Sequence, residues 1–485
     1  MGHPRLLAWT GLAVIAAAAL ARNLPHLAPG MFDWAEPGNV AAALAQGRGF
    51  SDPFDGGTGA TAWVSPLPAW IEAAVFLVLG VKTAASAKVM LVLTVLGLAA
   101  AHLILIDALA PYGAWMRGAA SAAFLGFVSL LPGSPVTVLS EAWLDILLST
   151  ALLWAALEAV RSPGGRGAAA LITVALLAPL ENAGIALAAG VVVLGLAWSR
   201  RREAGFLAVP AAAAAALVIS TGAWTARNEA ALGRFVPLKS NFWFELHLAN
   251  VDSHDGLPRM EEVLRRLPFF DTGEFNRYKE MGEIQYVASF RAPAVAAIRR
   301  DPLHFAANIV RRIGVAAVFC PREGGGQPTH APFAAADQAL LVQSGELISF
   351  RPSGGLWTRM DAPIPFEFHK LHALGLKDPE GVWRDWSEKR LAYDAQFRGP
   401  AGTALGYLTA GVPVLALLLS AVLLGGRLAP PAAWAATIAT AMLLPFVLVN
   451  HNERHQLPIL AKQAVAIGAF AQAAADRLGR GRAQA

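Results

Sequence analysis

The sequence predicts an all-α, polytopic membrane protein with about ten spans, each long enough for the bilayer. Of its 485 residues, 55% are hydrophobic and only 15% are charged, whereas soluble domains carry about 25% charged residues. The apolar residues gather into runs of roughly 15–22 residues, enough for a helix to cross a hydrocarbon core of ~30 Å. These runs are rich in alanine and leucine and lack period-2 alternation, which excludes a barrel and leaves the helix as the spanning structure.

The predicted spans form two groups, separated by a long polar stretch. They are residues 6–21, 84–106, 118–131, 142–160, 167–180, 184–198, 206–224, 403–424, 431–449 and 457–475. Two further stretches, residues 66–80 and 302–318, are ambiguous between a span and a helix at the membrane surface.

The basic residues decide the predicted topology. The net charge of +5 comes from clusters beside apolar runs, which is the positive-inside pattern rather than a nucleic-acid surface. With the N-terminus inside and both ambiguous stretches on the surface, every cytoplasmic segment is basic: Arg117, Arg161, Arg166, Arg200, Arg201, Arg202, Arg427, Arg477, Arg480 and Arg482. A span at residues 66–80 would place the Arg200–Arg202 cluster outside. The rule therefore favours a surface or re-entrant helix there, with both termini cytoplasmic.

This topology divides the chain into three parts. Residues 1–224 form an N-terminal transmembrane module, whose first outer loop covers residues 22–83. Residues 225–402 form a large extracytoplasmic loop region of mixed composition with interfacial helices, and residues 403–485 form the C-terminal transmembrane helices. Long loops cross the membrane regardless of their charge, so the basic residues of 225–402 do not contradict this orientation.

Three segments bring carboxylates to the predicted outer face. Asp33 and Glu36 follow the first span, Glu141 and Asp145 open the fourth, and Glu181 closes the fifth. Charged groups at this depth are costly and usually line a cavity or a pathway. The alternative is that helix ends carry polar residues at the interface. Asp33 and Glu36 are favoured as site residues because their segment lacks the pattern of a plain helix end.

Cationic side chains gather on the same predicted face. They are Lys88, Arg227, Arg234, Lys239, Arg454 and His455. Donors of this kind compensate the charge of a phosphate bound at the membrane interface. Contact with lipid head groups explains each of them individually as well, because long side chains at helix ends reach toward the interface. Their convergence on one face is what predicts a phosphate site.

Other chemical motifs are weak in this sequence. His247, Asp252 and His254 raise the question of a metal site, but their spacing matches no ligand pattern, so we expect polar loop residues. The single cysteine, Cys320, excludes an intramolecular disulfide. The chain has neither a P-loop signature nor a G-x-S-x-G motif.

Several short motifs resemble GT-C glycosyltransferases, in particular the protein O-mannosyltransferase and aminoarabinose-transferase group of bacterial membrane enzymes. F-D-W-A-E at 32–36, G-R-G-F at 47–50, T-A-W at 61–63 and P-L-P at 66–68 resemble the first outer loop of that family. W-T-A-R-N at 224–228 and G-R-F-V-P-L at 233–238 resemble its junction into the large outer loop. D-P-L-H-F at 301–305 resembles its amphipathic segment, and R-H-Q-L-P at 454–458 resembles the motif before its last spans. The resemblance covers most of the chain, and the order of the motifs is more specific than any one of them.

The resemblance implies a GT-C-like fold in a bacterial inner membrane and an inverting sugar transfer from a polyprenyl-phosphate donor. Asp33 matches the aspartate that acts as general base, and Glu36 would be a second acid of the site. Glu141, Asp145 and Glu181 would be accessory acids. Many relatives have adjacent acids in this loop, whereas here they are three residues apart, and Pro37 predicts a helix that begins at this point. The resemblance implies no obligatory metal, and a divalent metal on the acids is left open.

Two other functions stay open from the sequence. One is a transporter or flippase of lipid-linked sugars, and the other is a non-catalytic membrane scaffold. A transporter is expected to place its polar groups near the bilayer midplane. Here most of them lie at the predicted outer ends of spans. The sugar and the acceptor are not specified by the sequence.

Overall fold

The computed structural model describes residues 4–23, 35–130, 136, 142–162, 165–203, 206–258, 260–268, 271–318, 339–343, 346–350, 356–357, 363–364, 400–451 and 453–484. Asp33 and Glu141, two of the predicted acids, lie outside the described residues.

The apolar runs form one group of helices. They are α1 (Pro4–Asn23), α4 (Ala84–Leu109), α5 (Ala114–Leu130), α6 (Ala142–Arg161), α7 (Arg166–Glu181), α8 (Ala183–Ser199), α9 (Ala208–Leu232), α16 (Pro400–Thr409), α17 (Gly411–Leu423), α18 (Pro430–Val449) and α19 (Leu460–Gln484). A 3-10 turn, Glu453–Ile459, leads into α19. We call α1, α4–α9 and α17–α19 the membrane bundle. In the described chain, five segments are long and apolar enough to cross a membrane: Ala84–Tyr112, Ala142–Arg161, Ala208–Leu232, Pro430–Val449 and His455–Arg480. This is the pattern of a multi-pass membrane protein.

Each predicted span falls on a helix, but the total of ten stays a prediction, because α1, α5, α7, α8 and α17 are not among the five segments that are long and apolar enough to cross a membrane. The run at residues 403–424 differs from the expected single helix, since it is divided between α16 and α17 at Ala410. The side chain of Gln463, in α19, donates a hydrogen bond to the Thr409 carbonyl at this break. The neighbouring helix thus satisfies a backbone group that the break leaves open, as a lipid environment requires.

The last helix lies within the bundle. α19 packs against α5 and α17, α18 against α8, α7 against α9, and α4 against α1 and α6. Small residues allow these close approaches. A Cβ on Gly97 would lie 2.2 Å from Cε3 of Trp143, and a Cβ on Gly468 would lie 2.4 Å from the Met116 carbonyl. Packing through small residues is how helices associate in lipid, and here it gives the N- and C-terminal helices a common core.

The first loop, residues 22–83, contains two short helices, α2 (Ala35–Ala45) and α3 (Pro66–Leu79). α3 packs against α2, α4 and α7. It has 14 residues, which is about 21 Å at 1.5 Å per residue and short of a ~30 Å hydrocarbon core. The helix at residues 66–80 is therefore too short to cross the core, and its place at the membrane surface stays a prediction.

Six helices follow the bundle helix α9. They are α10 (Phe242–His247), α11 (Met260–Arg266), α12 (Thr272–Met281), α13 (Glu283–Ser289), α14 (Arg291–Arg300) and α15 (Pro302–Ala317), with a π-helical turn at Leu248–Asp252 after α10. We call α10–α14 the cap. Its core is aromatic and includes Phe50, Phe54 and Trp63 from the first loop. The rings of Phe54 and Trp63 meet edge to face at 5.1 Å, and those of Phe54 and Tyr278 at 5.0 Å. The first loop and the cap thus share one core.

The helix α15 is amphipathic, with polar side chains on its buried face and apolar side chains on its exposed face. Asn308 and Arg312 are fully buried, whereas Leu303 is 81% exposed and Val310 is 67% exposed. An apolar face directed outward suits a helix at the boundary with lipid. The ambiguous stretch at residues 302–318 is therefore an amphipathic helix of 16 residues.

A small antiparallel sheet lies between α15 and α16. Its strands are β1 (Ala339–Gln343), β2 (Glu346–Phe350), β3 (Leu356–Trp357) and β4 (Pro363–Ile364), in the order β1-β2-β3-β4. Val342 lies opposite Leu347, and Leu356 lies opposite Ile364.

Candidate functional site

The helix α2 places one predicted acid of the first loop. It begins at Ala35, with Glu36 in its first turn, and the Glu36 side chain is half-buried. Proline is tolerated in the first turn because its missing N–H would have no partner within the helix. The prediction of a helix that begins beside Pro37 is confirmed. A carboxylate in the first turn is also favoured by the partial positive charge of the helix N-terminus.

Two further polar side chains, Asn39 and Lys82, lie near Glu36 on α2. Asn39, one turn further on, lies on the same face and is buried. Its Nδ2 donates to the Pro53 carbonyl at 3.0 Å, and its Oδ1 accepts from Nζ of Lys82 at 2.5 Å. Lys82 is half-buried in the turn between α3 and α4. Lys82 is not among the residues predicted from the sequence, although its position one residue before Thr83, the N-cap of α4, is a signal that it lies at a helix end.

Arg227 attaches the first loop to the end of α9. Its guanidinium donates to the Thr61 carbonyl at 2.6 Å and to the Phe50 carbonyl at 2.7 Å. The same group lies 4.9 Å from the ring centre of Phe50 and 5.0 Å from that of Trp224. A guanidinium that bonds two loop carbonyls and lies over two rings is a clamp. This placement does not favour the predicted role of Arg227 as a phosphate ligand.

Glu283 attaches the same loop to the cap. One carboxylate oxygen accepts from the Ala62 N–H at 2.7 Å, and the other accepts from the Tyr278 hydroxyl at 2.7 Å and from the Thr61 hydroxyl. The carboxyl is buried, and burial raises the pKa of Glu283 against the opposing effect of these hydrogen bonds. Together with Arg227, Glu283 fixes the part of the first loop that follows α2.

A second polar group lies inside the bundle. Asp145, half-buried in the first turn of α6, accepts from Nδ2 of Asn182 at 3.3 Å. Asn182 caps α8 by accepting from the Gly184 N–H. The buried ammonium of Lys462, in the first turn of α19, donates to the Pro458 carbonyl at 3.3 Å and is attracted by the Asp145 carboxylate. Lys462 is not among the predicted site residues, although a lysine inside a predicted span is itself a signal of a functional site.

Glu181 connects this bundle group to the first loop. It is the last residue of α7, directly before Asn182, and its side chain is buried. The Ser65 hydroxyl, at the start of α3, donates to the Glu181 carbonyl. The helix α3 therefore has Glu36 on one neighbouring helix and Glu181 on another. Asp145 and Glu181 lie near each other where the start of α6 meets the end of α7, because Asp145 bonds Asn182, the residue after Glu181. The helix α3 contacts both α7 and α2.

The remaining predicted cations differ in their surroundings. Lys88, Arg234 and Lys239 are exposed. The ring of His455 stacks on Phe446 with centroids 4.0 Å apart. The side chain of Arg454 lies outside the described residues. The convergence of these groups on one phosphate stays a prediction.

The histidines of the cap have other partners. Nδ1 of His247 lies 3.2 Å from Oδ2 of Asp252, and the guanidinium of Arg266 approaches Asp252 at 2.9 Å. Burial by itself raises the pKa of Asp252, but hydrogen bonds from His247 and Arg266 outweigh it and leave that pKa below its usual value. The His254 ring lies 5.8 Å from the His304 ring. Across the described residues, no group of three or more His, Cys, Asp or Glu side chains could hold a metal ion.

Comparison with known structures gives remote similarities only. The chain is similar to an oligosaccharyltransferase of Archaeoglobus fulgidus, solved with Zn and sulfate, at 11% identity and a TM-score of 0.43. It is similar to ArnT of Cupriavidus metallidurans bound to undecaprenyl phosphate, at 12% identity and a TM-score of 0.34, and to the apo form of that protein at 14% and 0.30.

These similarities extend over nearly the whole chain. They cover 95% of it for the oligosaccharyltransferase and 98% and 96% for the two ArnT structures. The chain spans about half the length of the oligosaccharyltransferase, with 48% covered, and 77% of ArnT in both structures. No protein-family model and no curated protein matches the chain.

Proposed function

We propose that this protein is an inverting GT-C glycosyltransferase that moves a sugar from a polyprenyl-phosphate donor to an acceptor outside the cytoplasm of a bacterium. One observation carries the proposal. The helix α2 carries Glu36 in its first turn and is hydrogen-bonded to Lys82 through Asn39. It belongs to a loop that Arg227 attaches to the membrane bundle and Glu283 attaches to the cap. A membrane-embedded enzyme can reach a hydrophobic donor tail within the lipid, which a soluble fold cannot.

The proposed reaction needs two kinds of group. A nucleophilic oxygen or nitrogen of the acceptor attacks the anomeric carbon, while the bond from that carbon to the phosphate oxygen breaks and its electron pair leaves with the phosphate. The acceptor proton passes to a carboxylate, which the family resemblance assigns to Asp33. Glu36 is the second acid. General base catalysis of this kind contributes about 10²–10⁴ in rate, and a cation stabilises the departing phosphate.

The contacts of Arg227 and Glu283 support the proposed transfer reaction, because sugar transfer depends on precise placement of the reacting groups. Misplacing a reacting group by about 1 Å can cost about 10²-fold in rate. Arg227 and Glu283 hold Phe50, Thr61 and Ala62 through backbone groups. The part of the first loop that follows α2 is thereby kept in one position relative to α9 and the cap.

The alternative of a transporter or flippase has less support. Asp145 and Lys462 lie in the first turns of α6 and α19 rather than halfway along those helices. Transporters are expected to hold substrates near the midplane. A non-catalytic scaffold has no need for a half-buried carboxylate on α2 and a lysine from another segment bonded to Asn39 of that helix.

The test is transfer of radiolabelled sugar from synthetic polyprenyl-phosphate sugars by the purified protein, offered a panel of envelope lipids, glycans and proteins. We expect transfer by the wild type, about 10²-fold or greater loss in Asp33→Asn, and a smaller loss in Glu36→Gln. Asp55→Asn is the matched control, because Asp55 is an acid of the same loop whose side chain accepts from the next N–H, that of Gly56.

The outcomes separate the three hypotheses. Undiminished transfer by Asp33→Asn removes Asp33 from the base role. Movement of the donor across a reconstituted bilayer without transfer of sugar favours the flippase. A wild type that neither transfers nor moves any donor of the panel contradicts both activities and leaves the scaffold.

A further inference from the structure

Lys82 has an unusual backbone conformation. Its φ is +54°, and among the described residues the other non-glycine positions with positive φ are Asp52 and Asp55. Aspartate tolerates this region because its short side chain bonds nearby backbone groups. Lysine adopts this region less readily. Strained backbone of this kind persists where the surroundings fix it, and it is concentrated at binding and catalytic sites.

The lysine side chain reaches back to α2. The turn between α3 and α4 is short, and Thr83 begins the next helix with a complete capping box. From this turn the ammonium reaches Oδ1 of Asn39, which is anchored at its other end on the Pro53 carbonyl. Because Asn39 and Glu36 are one turn apart, the ammonium lies on the face of α2 that carries the carboxylate.

The other cations of this region differ from Lys82 in their surroundings. Arg227 holds two loop carbonyls and lies over two rings. Lys88 is exposed on α4. Lys462 is buried in the bundle near Asp145. Lys82 is half-buried, held by a side-chain amide, and placed next to the acid-bearing helix.

We propose that the Lys82 ammonium binds the phosphate of the lipid-linked donor on the Glu36 face of α2. This inference rests on the proposed glycosyltransferase function and assigns a ligand residue to it. A lysine carries three N–H donors, and its bonds to phosphate oxygens are charge-assisted and strong. A phosphate beside a carboxylate requires a cation to offset their mutual repulsion. The amide of Asn39 keeps the ammonium in place when no phosphate is bound.

The experiment measures binding rather than transfer. Undecaprenyl phosphate is titrated against the purified full-length protein in detergent, and its dissociation constant is obtained by native mass spectrometry. Phosphatidylglycerol is titrated in parallel, because a phospholipid head group offers the same phosphate chemistry. Undecaprenol tests the contribution of the tail.

Three variants of Lys82 separate charge from fold. Lys82→Gly removes the ammonium and also fits the positive φ, so it removes the charge without backbone strain. We expect it, and Lys82→Met, to weaken undecaprenyl phosphate binding about 10-fold or more, as loss of a charge-assisted contact implies. Lys82→Arg keeps the charge and should stay within about 3-fold of the wild type.

Lys279→Met is the matched control. Lys279 is an exposed lysine that bonds the Gly56 carbonyl of the same loop at 2.8 Å, and its removal should leave binding unchanged. Equal affinity of the wild type and Lys82→Gly overturns the assignment of Lys82 while leaving the enzyme proposal standing. Equally tight binding of phosphatidylglycerol, lost in the same variants, also overturns it, because Lys82 would then be a head-group contact. A wild type that binds no polyprenyl phosphate overturns both proposals.

Discussion

The membrane bundle and the cap with its attached first loop are held together in different ways. In the bundle, helices approach through glycine and alanine, with scattered polar pairs such as His102 and Ser121, whose Nε2 and Oγ are 2.7 Å apart. Between the first loop and the cap, Arg227 and Glu283 make directed bonds to backbone groups around an aromatic core. Lipid provides no hydrophobic drive between helices, so shape dominates in the bundle, whereas aromatic burial and polar contacts dominate outside it.

The largest expected effect on stability is at Arg312, which connects the cap to the membrane bundle. The guanidinium of Arg312 donates to the Gly256 carbonyl at 2.8 Å and, at the end of α18, to the Val447 and Leu448 carbonyls at 3.4 and 3.3 Å. Arg312→Met should lower the free energy of unfolding by about 3 kcal/mol, because it leaves buried carbonyls unpaired. Thermal and denaturant unfolding of the purified protein in detergent measure this.

The neighbouring Arg311 provides the control for that variant. It is exposed on the same helix, and Arg311→Met should change the free energy of unfolding by about 0.5 kcal/mol or less. Equal effects of the two substitutions on the free energy of unfolding would show that Arg312 does not connect the cap to the bundle.

The next effect tests shape in the bundle. A Cβ at Gly97 would lie 2.2 Å from the buried Trp143 ring. Gly97→Ala should therefore destabilise the bundle by about 2 kcal/mol, which is the usual cost of overpacking. Gly126→Ala in α5 is the matched change, because nothing lies within 4 Å of its added Cβ. Fluorescence-detected gel filtration after heating compares the two variants, and a similar melting temperature for both would contradict the close approach of α4 and α6.

The smallest effect tests the polar contacts of the cap. Because burial raises the pKa of Glu283, the folded state binds this proton more tightly than the unfolded state. The stabilisation is therefore complete below the unfolded-state pKa of about 4.3 and is lost as the pH rises through the raised folded-state pKa.

Glu283→Gln removes this titration and keeps an acceptor for the Ala62 N–H. We expect the stability difference between Glu283→Gln and the wild type to shift in favour of the variant, by about 1 kcal/mol, as the pH rises above the unfolded-state value. Glu280→Gln, an exposed change on α12, should show no such trend. A difference that is constant with pH would mean that Glu283 titrates as an ordinary carboxyl.

The candidate site was only partly predictable from the sequence. Pro37 indicated the start of α2, and that start is confirmed at Ala35. Arg227 was predicted as a phosphate ligand, but a cation at the end of a span has the same local pattern whether it faces a phosphate or a carbonyl. Lys82 was missed because its partner, Asn39, is 43 residues away in the chain.

The sequence by itself determined that the chain is helical and built for a membrane. Long apolar runs leave the helix as the way to satisfy backbone groups in lipid, so composition and run length were sufficient for that conclusion. Only the tertiary structure decided which charged groups serve the fold. Nothing in the local sequence distinguishes Arg312, Glu283 and Arg227 from charged residues at the surface. Each of them bonds backbone groups of distant segments. The reason is physical, because a charge is buried only where groups from distant segments meet to satisfy it.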